Sequence, residues 1–66
     1  MMKWVDVYDI AIALHEKHPD IDPLSINFVD LRNRVLALED FQDDPARCGE
    51  KVLEAIQQAW ISERDE

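Results

Sequence analysis

A small, mainly α domain of three helices with one short extended segment, helix-turn-helix-like in outline, is what this 66-residue sequence predicts. Three observations point there. Apolar residues recur at three- and four-residue spacing in three separate stretches. Aspartate–proline pairs and a histidine–proline pair punctuate the chain between them. The length leaves room for one domain, residues 1–66, resting on a modest core.

The first helix is expected to start at Asp6 as its cap, with Asp9 in the first turn, where negative charge suits the helix dipole. Val7, Ile10, Ala11 and Leu14 form its core-facing stripe, and His18-Pro19 ends it. In Asp20-Ile21-Asp22-Pro23, Asp22 caps a single helical turn running through Ile26, with Pro23 at its first position. Ile26-Asn27-Phe28-Val29 reads as the extended segment. Asp30 then caps a second helix with Leu31, Val35 and Leu38 on one face. An acidic loop, Glu39 to Pro45, follows, and its Asp44-Pro45 resembles another cap and first turn. From Gly49 onward, Val52, Leu53, Ile56, Ala59 and Trp60 keep helical spacing through the third helix. Residues 62–66 are charged and expected to fray.

Charge is the firmest constraint on function. Fifteen acidic residues against seven basic give a formal charge of −8. That field repels nucleic acid and anionic lipid and attracts basic proteins and cations. No apolar run approaches a membrane span, and the first residues lack the apolar core of a secretory signal, so a cytoplasmic location is expected. With Cys48 as the only cysteine, no internal disulfide can form.

The acidic residues are the main candidates for chemistry. Asp6, Asp9 and Glu16 fall along one strip of the first helix, Asp20 and Asp22 follow, and Glu39, Asp40, Asp43 and Asp44 crowd into six positions of the loop. A solvated face kept acidic for solubility is the plain reading. The functional reading is that a basic partner relieves the repulsion among them. Phe41, set among the loop acids, is either an anchor for such a partner or a plug of the core. Carboxylates at this density can also hold a hard cation weakly. Glu39, Asp40, Asp43 and Asp44 are the candidate ligands, in an open site without the glycine and closing glutamate of an EF-hand.

Other constellations carry less. His15 and His18 sit three apart at a helix end without the further ligands of a zinc site, which favours dipole-stabilised histidines. Cys48 has Arg47 beside it but no base, and reads as an ordinary small residue. Ile12 and Ile61, off the core stripes, have no assigned role. There is no glycine-rich phosphate loop and no nucleophile–base pair, so no catalysis is expected. Arg32-Asn33-Arg34 on the second helix are too few cations to bind DNA against so much acid, and a winged-helix nucleic-acid binder or transcriptional co-regulator is only the alternative.

Lys3-Trp4, Asp9-Ile10, Ala13-Leu14, Pro19 to Pro23, Phe28-Val29-Asp30-Leu31, Leu38-Glu39-Asp40-Phe41-Gln42-Asp43-Asp44-Pro45 and Glu50 to Ile56 together resemble the IscX family, also called YfhJ. The likeness runs from about Lys3 to Trp60, and the Leu-Glu-Asp-Phe…Asp-Asp-Pro stretch is its specific part. It implies a modified winged-helix fold and a role in bacterial iron–sulphur cluster assembly. Proteins of that family bind the cysteine desulfurase IscS through an acidic face, on a basic region that frataxin and ferredoxin also use. They bind iron weakly through exposed carboxylates and act as adaptors, regulators or iron donors. Gln42 stands where the family often has a third aspartate, and His15 and His18 replace residues common in relatives, which would make binding pH-sensitive if they join the acidic strip.

The expected function is therefore that of a monomeric acidic adaptor. It docks on the desulfurase through Asp6, Asp9, Glu16, Asp20, Asp22, Glu39, Asp40, Asp43 and Asp44, and iron is a weak, transient ligand with no tightly bound cofactor.

Overall fold

The computed structural model describes residues 1–65 and contains three α-helices: α1 (Val7–Lys17), α2 (Phe28–Leu36) and α3 (Glu50–Asp65). A 3₁₀ turn, Pro45–Arg47, precedes α3. Among the described residues there is no β-strand, only an isolated parallel bridge between Met2 and Phe41. None of these helices is long and apolar enough to cross a membrane.

Each helix turns its expected stripe inward, except that α2 ends at Leu36 and Leu38 joins the core from the turn beyond it. Ile10, Ala11 and Leu14 of α1 and Leu31 and Val35 of α2 meet Leu53, Ile56, Ala59 and Trp60 of α3 in one core. Trp60 is fully buried there, although its Nε1–H finds no partner. An unpaired donor of that kind costs about 1–3 kcal/mol, less than the burial of an indole contributes.

Several local expectations need correction. Asp6 precedes α1, but its side chain does not cap it; the carboxylate turns back and accepts the Lys3 N–H at 2.8 Å. The extended segment is absent, because Phe28 and Val29 already belong to α2. Asn27 is the cap: its Oδ1 accepts the Asp30 N–H at 2.8 Å, and that bond, with Phe28 packed against the core, overrides the β-propensity of Phe-Val. Asp30 thus lies inside the first turn, where its charge suits the dipole. Finally, α3 begins at Glu50, with Gly49 supplying the first accepting carbonyl, and it continues through Asp65 past the expected fraying point. Arg64 in that last turn bonds Asp22 at 2.6 Å; Glu66 lies outside the described residues.

After α1 the expected single helical turn through Ile26 is instead a turn over 23–25, closed by the Ser25 N–H on the Asp22 carbonyl at 3.0 Å. Asp22 accepts the Leu24 N–H at 3.0 Å, Pro23 is buried, and Gln57 of α3 donates to the Pro23 carbonyl at 2.8 Å. At the other end of the chain the N-terminal residues, which carry no periodic signal, become part of the core. Trp4 is 2% exposed and meets Phe41 edge to face, ring centres 4.6 Å apart. Phe41 is therefore a plug of the core. The Met2 N–H donates to the Asp40 carbonyl at 2.7 Å and the Gln42 N–H to that of Met2 at 2.9 Å, so the first residues fasten the acidic loop.

Candidate functional site: an acidic groove between the first helix and the loop

At 3.6 residues per turn, Asp9, Ala13 and Glu16 share one outward flank of α1. That flank adjoins the beginning of the acidic loop. Glu16, Glu39 and Asp40 line one shallow groove with Met2, Ala13 and Leu38, and the bridge to Met2 holds the loop in this position. Lys17 stands at the same groove with its Nζ 3.4 Å from the Ala37 carbonyl, at the C-terminal end of α2. Among the described residues, the carboxylates of Asp9, Glu16, Asp20, Glu39 and Asp40 make no ion pair and accept no hydrogen bond.

The other candidate acids are engaged within the protein. Asp6 holds the Lys3 N–H. Asp43 Oδ2 accepts the Trp4 N–H at 3.1 Å and its Oδ1 the Asp44 N–H at 2.7 Å. These two donors, with Arg47 and Lys3 further away, hold the Asp43 carboxyl below the usual carboxylate range. Asp44 caps the 3₁₀ turn through the Ala46 N–H at 2.9 Å, and its carbonyl accepts Trp4 Nε1–H at 2.9 Å. Asp22 stands apart from the groove, its carboxyl lowered first by the Leu24 N–H and then by Arg64.

Among the described residues, no three His, Cys, Asp or Glu side chains gather where they could hold one metal ion. Glu39, Asp40, Asp43 and Asp44 divide by environment: the first two are exposed and without partners, the last two bind backbone N–H groups. The donor set does not fit a closed site.

The histidines do not join the acidic flank. His18 lies at the ends of α1 and α2 with Lys17, Arg34 and Asp30. Burial, with Arg34 and Lys17 nearby, pushes it below its ordinary value. His15, two turns after Tyr8, lies on the flank of α1 away from Asp9 and Glu16. Cys48 is half-buried, and burial raises its thiol; its neighbouring cation is Arg32 and not the expected Arg47. Arg32 also donates to the Pro45 carbonyl at 3.3 Å, so it serves the loop that precedes α3.

Sequence reasoning missed Trp4 as a core residue and as the donor that fixes the acidic loop. Two segments far apart in sequence make this contact, and no periodicity marks it. It also missed the groove, since nothing in the spacing of Glu16 and Glu39 reveals that α1 and the loop adjoin.

A family model described as iron–sulphur cluster assembly matches residues 2–65. An uncharacterized protein of Pseudomonas aeruginosa is 62% identical over 64 residues, covering 97% of this chain and 97% of that protein.

Proposed function

This chain belongs to the iron–sulphur cluster assembly family, and from that premise we propose that it is a non-catalytic acidic adaptor that docks on the cysteine desulfurase IscS. The observation that carries this reading is the groove between α1 and the loop, where Glu16, Glu39 and Asp40 converge without a protein cation bound to their carboxylates. Like charges brought together and left unneutralised lower their energy when a basic surface covers them. The contact set narrows accordingly to Asp9, Glu16, Asp20, Glu39 and Asp40. Asp6, Asp22, Asp43 and Asp44 shape the scaffold that presents them.

Contacts of this exposed kind speed association and set orientation more than they add affinity. Frataxin and ferredoxin would compete for the same basic region of the desulfurase. Iron enters this reading as cargo. The exposed carboxylates of Glu39 and Asp40 suit a hard, largely hydrated cation held weakly and exchanged readily. The fold is proposed to be a winged helix reduced to its helices, with the Met2–Phe41 bridge in place of a sheet.

Calorimetric titration of the chain against its cognate desulfurase tests the proposal. The parent should bind, and more weakly as ionic strength rises and the screening length shortens to about 8 Å. Glu39→Lys with Asp40→Lys should weaken binding about tenfold or more at low salt. A loop-reversed variant that binds like the parent would overturn the electrostatic reading. The same titration with Fe²⁺ present tests the cargo: a changed dissociation constant supports shared carboxylates, and an unchanged one removes iron from the reading.

A further inference from the structure

Away from the acidic groove, Val5 just before α1 and Tyr8 in its first turn stand exposed, although the core does not need them. Val5 is 84% exposed and Tyr8 77%. Both border a groove of about 480 Å³ floored by Ala55, Ala59 and Ser62 of α3. Single exposed apolar residues are ordinary, but here they border a continuous concave surface. The small side chains of α3 give it depth, since a longer one at position 55 would fill it. Ile12, one turn beyond Tyr8 and also exposed, lies between that pair and the Asp9–Glu16 flank. The outward ridge of α1 is therefore divided lengthwise, apolar towards α3 and acidic towards the loop.

We infer that this groove is the apolar half of the docking surface and receives an aliphatic or aromatic side chain of the desulfurase, carried on a segment whose flanking residues are lysine or arginine. The charges nearby select that occupant. Across Ile12 the neighbouring groove carries Glu16, Glu39 and Asp40, and at this groove's own edge Glu54 of α3 stands exposed beside Lys51. A second copy of this chain would set those acids against their counterparts, each chain carrying −8. A basic segment meets them with complementary charge. A groove of this size takes a single side chain, whereas specific interfaces bury roughly 1,200 Å² or more in total. Its neighbour across Ile12 supplies the remainder. The inference rests on the adaptor reading and assigns the two halves different work: the acidic half gives a salt-dependent attraction, and the apolar half gives affinity that salt does not screen.

The test repeats the desulfurase titration over a range of salt with two further proteins, Val5→Ser combined with Tyr8→Ser, and Ala55→Glu. Val5, Tyr8 and Ala55 are exposed, so the helical circular dichroism should match the parent; should either protein lose it, the other supplies the reading. We expect each to bind about tenfold more weakly at every salt concentration, with the slope of affinity against salt kept for the serine pair. The loop-reversed variant should instead flatten that slope. Parent-like binding by the serine pair and by Ala55→Glu overturns this inference and leaves the adaptor reading standing. A parent that fails to bind the desulfurase at low salt overturns both. A parent dimer in sedimentation that the serine pair dissociates gives the groove to a second copy, and overturns the inference too.

Discussion

The two halves of the acidic loop have nearly the same composition and opposite roles. Glu39 and Asp40 stand exposed at the α1 groove with no partner for their carboxylates. Asp43 and Asp44, three and four residues on, accept the N–H groups of Trp4, Asp44 and Ala46. Phe41 separates the pairs and sits in the core against Trp4. The difference shows that a carboxylate's task is set by the backbone donors within its reach. A dense acidic sequence can therefore hold a binding surface and the fittings that fix it, side by side.

The comparison breaks most decisively at Trp4. If the second half of the loop is structural, removing the indole that it grips should loosen the whole loop. Trp4→Ala should cost about 3–5 kcal/mol in urea unfolding, the usual loss for a large buried aromatic. That is a large share of what a domain this small has. A cost below about 1 kcal/mol would mean that the Trp4–Phe41 contact does not hold the loop.

A smaller effect sharpens the same division. Asp44→Ala removes the cap of the 3₁₀ turn and should cost about 1 kcal/mol of stability. Its dissociation constant for the desulfurase should remain within about twofold of the parent, since a remote cap adds no contact. The Glu39→Lys and Asp40→Lys pair should give the reverse pattern, with binding lost and unfolding little changed. If Asp44→Ala weakens binding as strongly as the loop reversal while keeping its stability, the acids form one functional set and the division fails.

The three helices were legible because their signals are local. The apolar stripes of α1, α2 and α3 and the proline punctuation depend only on neighbours in the chain. The errors lie where local rules compete. Asp6 and Asp30 both look like caps, yet Lys3 takes the first carboxylate and Asn27 performs the second task. The acids of the candidate site were visible as residue types. Their sorting into exposed and engaged was not, because Asp43 is engaged by Trp4, 39 positions away. For the same reason the groove walled by Glu16 and Glu39 could not be read from spacing.

The smallest effect concerns acid. The N–H groups of Trp4 and Asp44 stabilise the Asp43 carboxylate in the folded chain and hold its proton affinity below the ordinary value of 3.8. Once unfolded, the chain loses those donors and binds the proton more readily. The contribution to stability is therefore complete above the ordinary carboxylate range and is lost as pH falls through the folded value. Asp43→Asn keeps one accepting oxygen but cannot titrate. Its melting temperature should lie below the parent's at neutral pH, and the two curves should converge as the solution is taken below 3.8. Asp22, lowered by the Leu24 N–H and by Arg64, adds a second slope in the same acid window, which both proteins share. The difference between the curves then isolates Asp43. Curves that stay parallel from neutrality into acid would show that the Trp4 and Asp44 donors do not favour the charged carboxylate, and that Asp43 belongs with Glu39 and Asp40 on the open side of the loop.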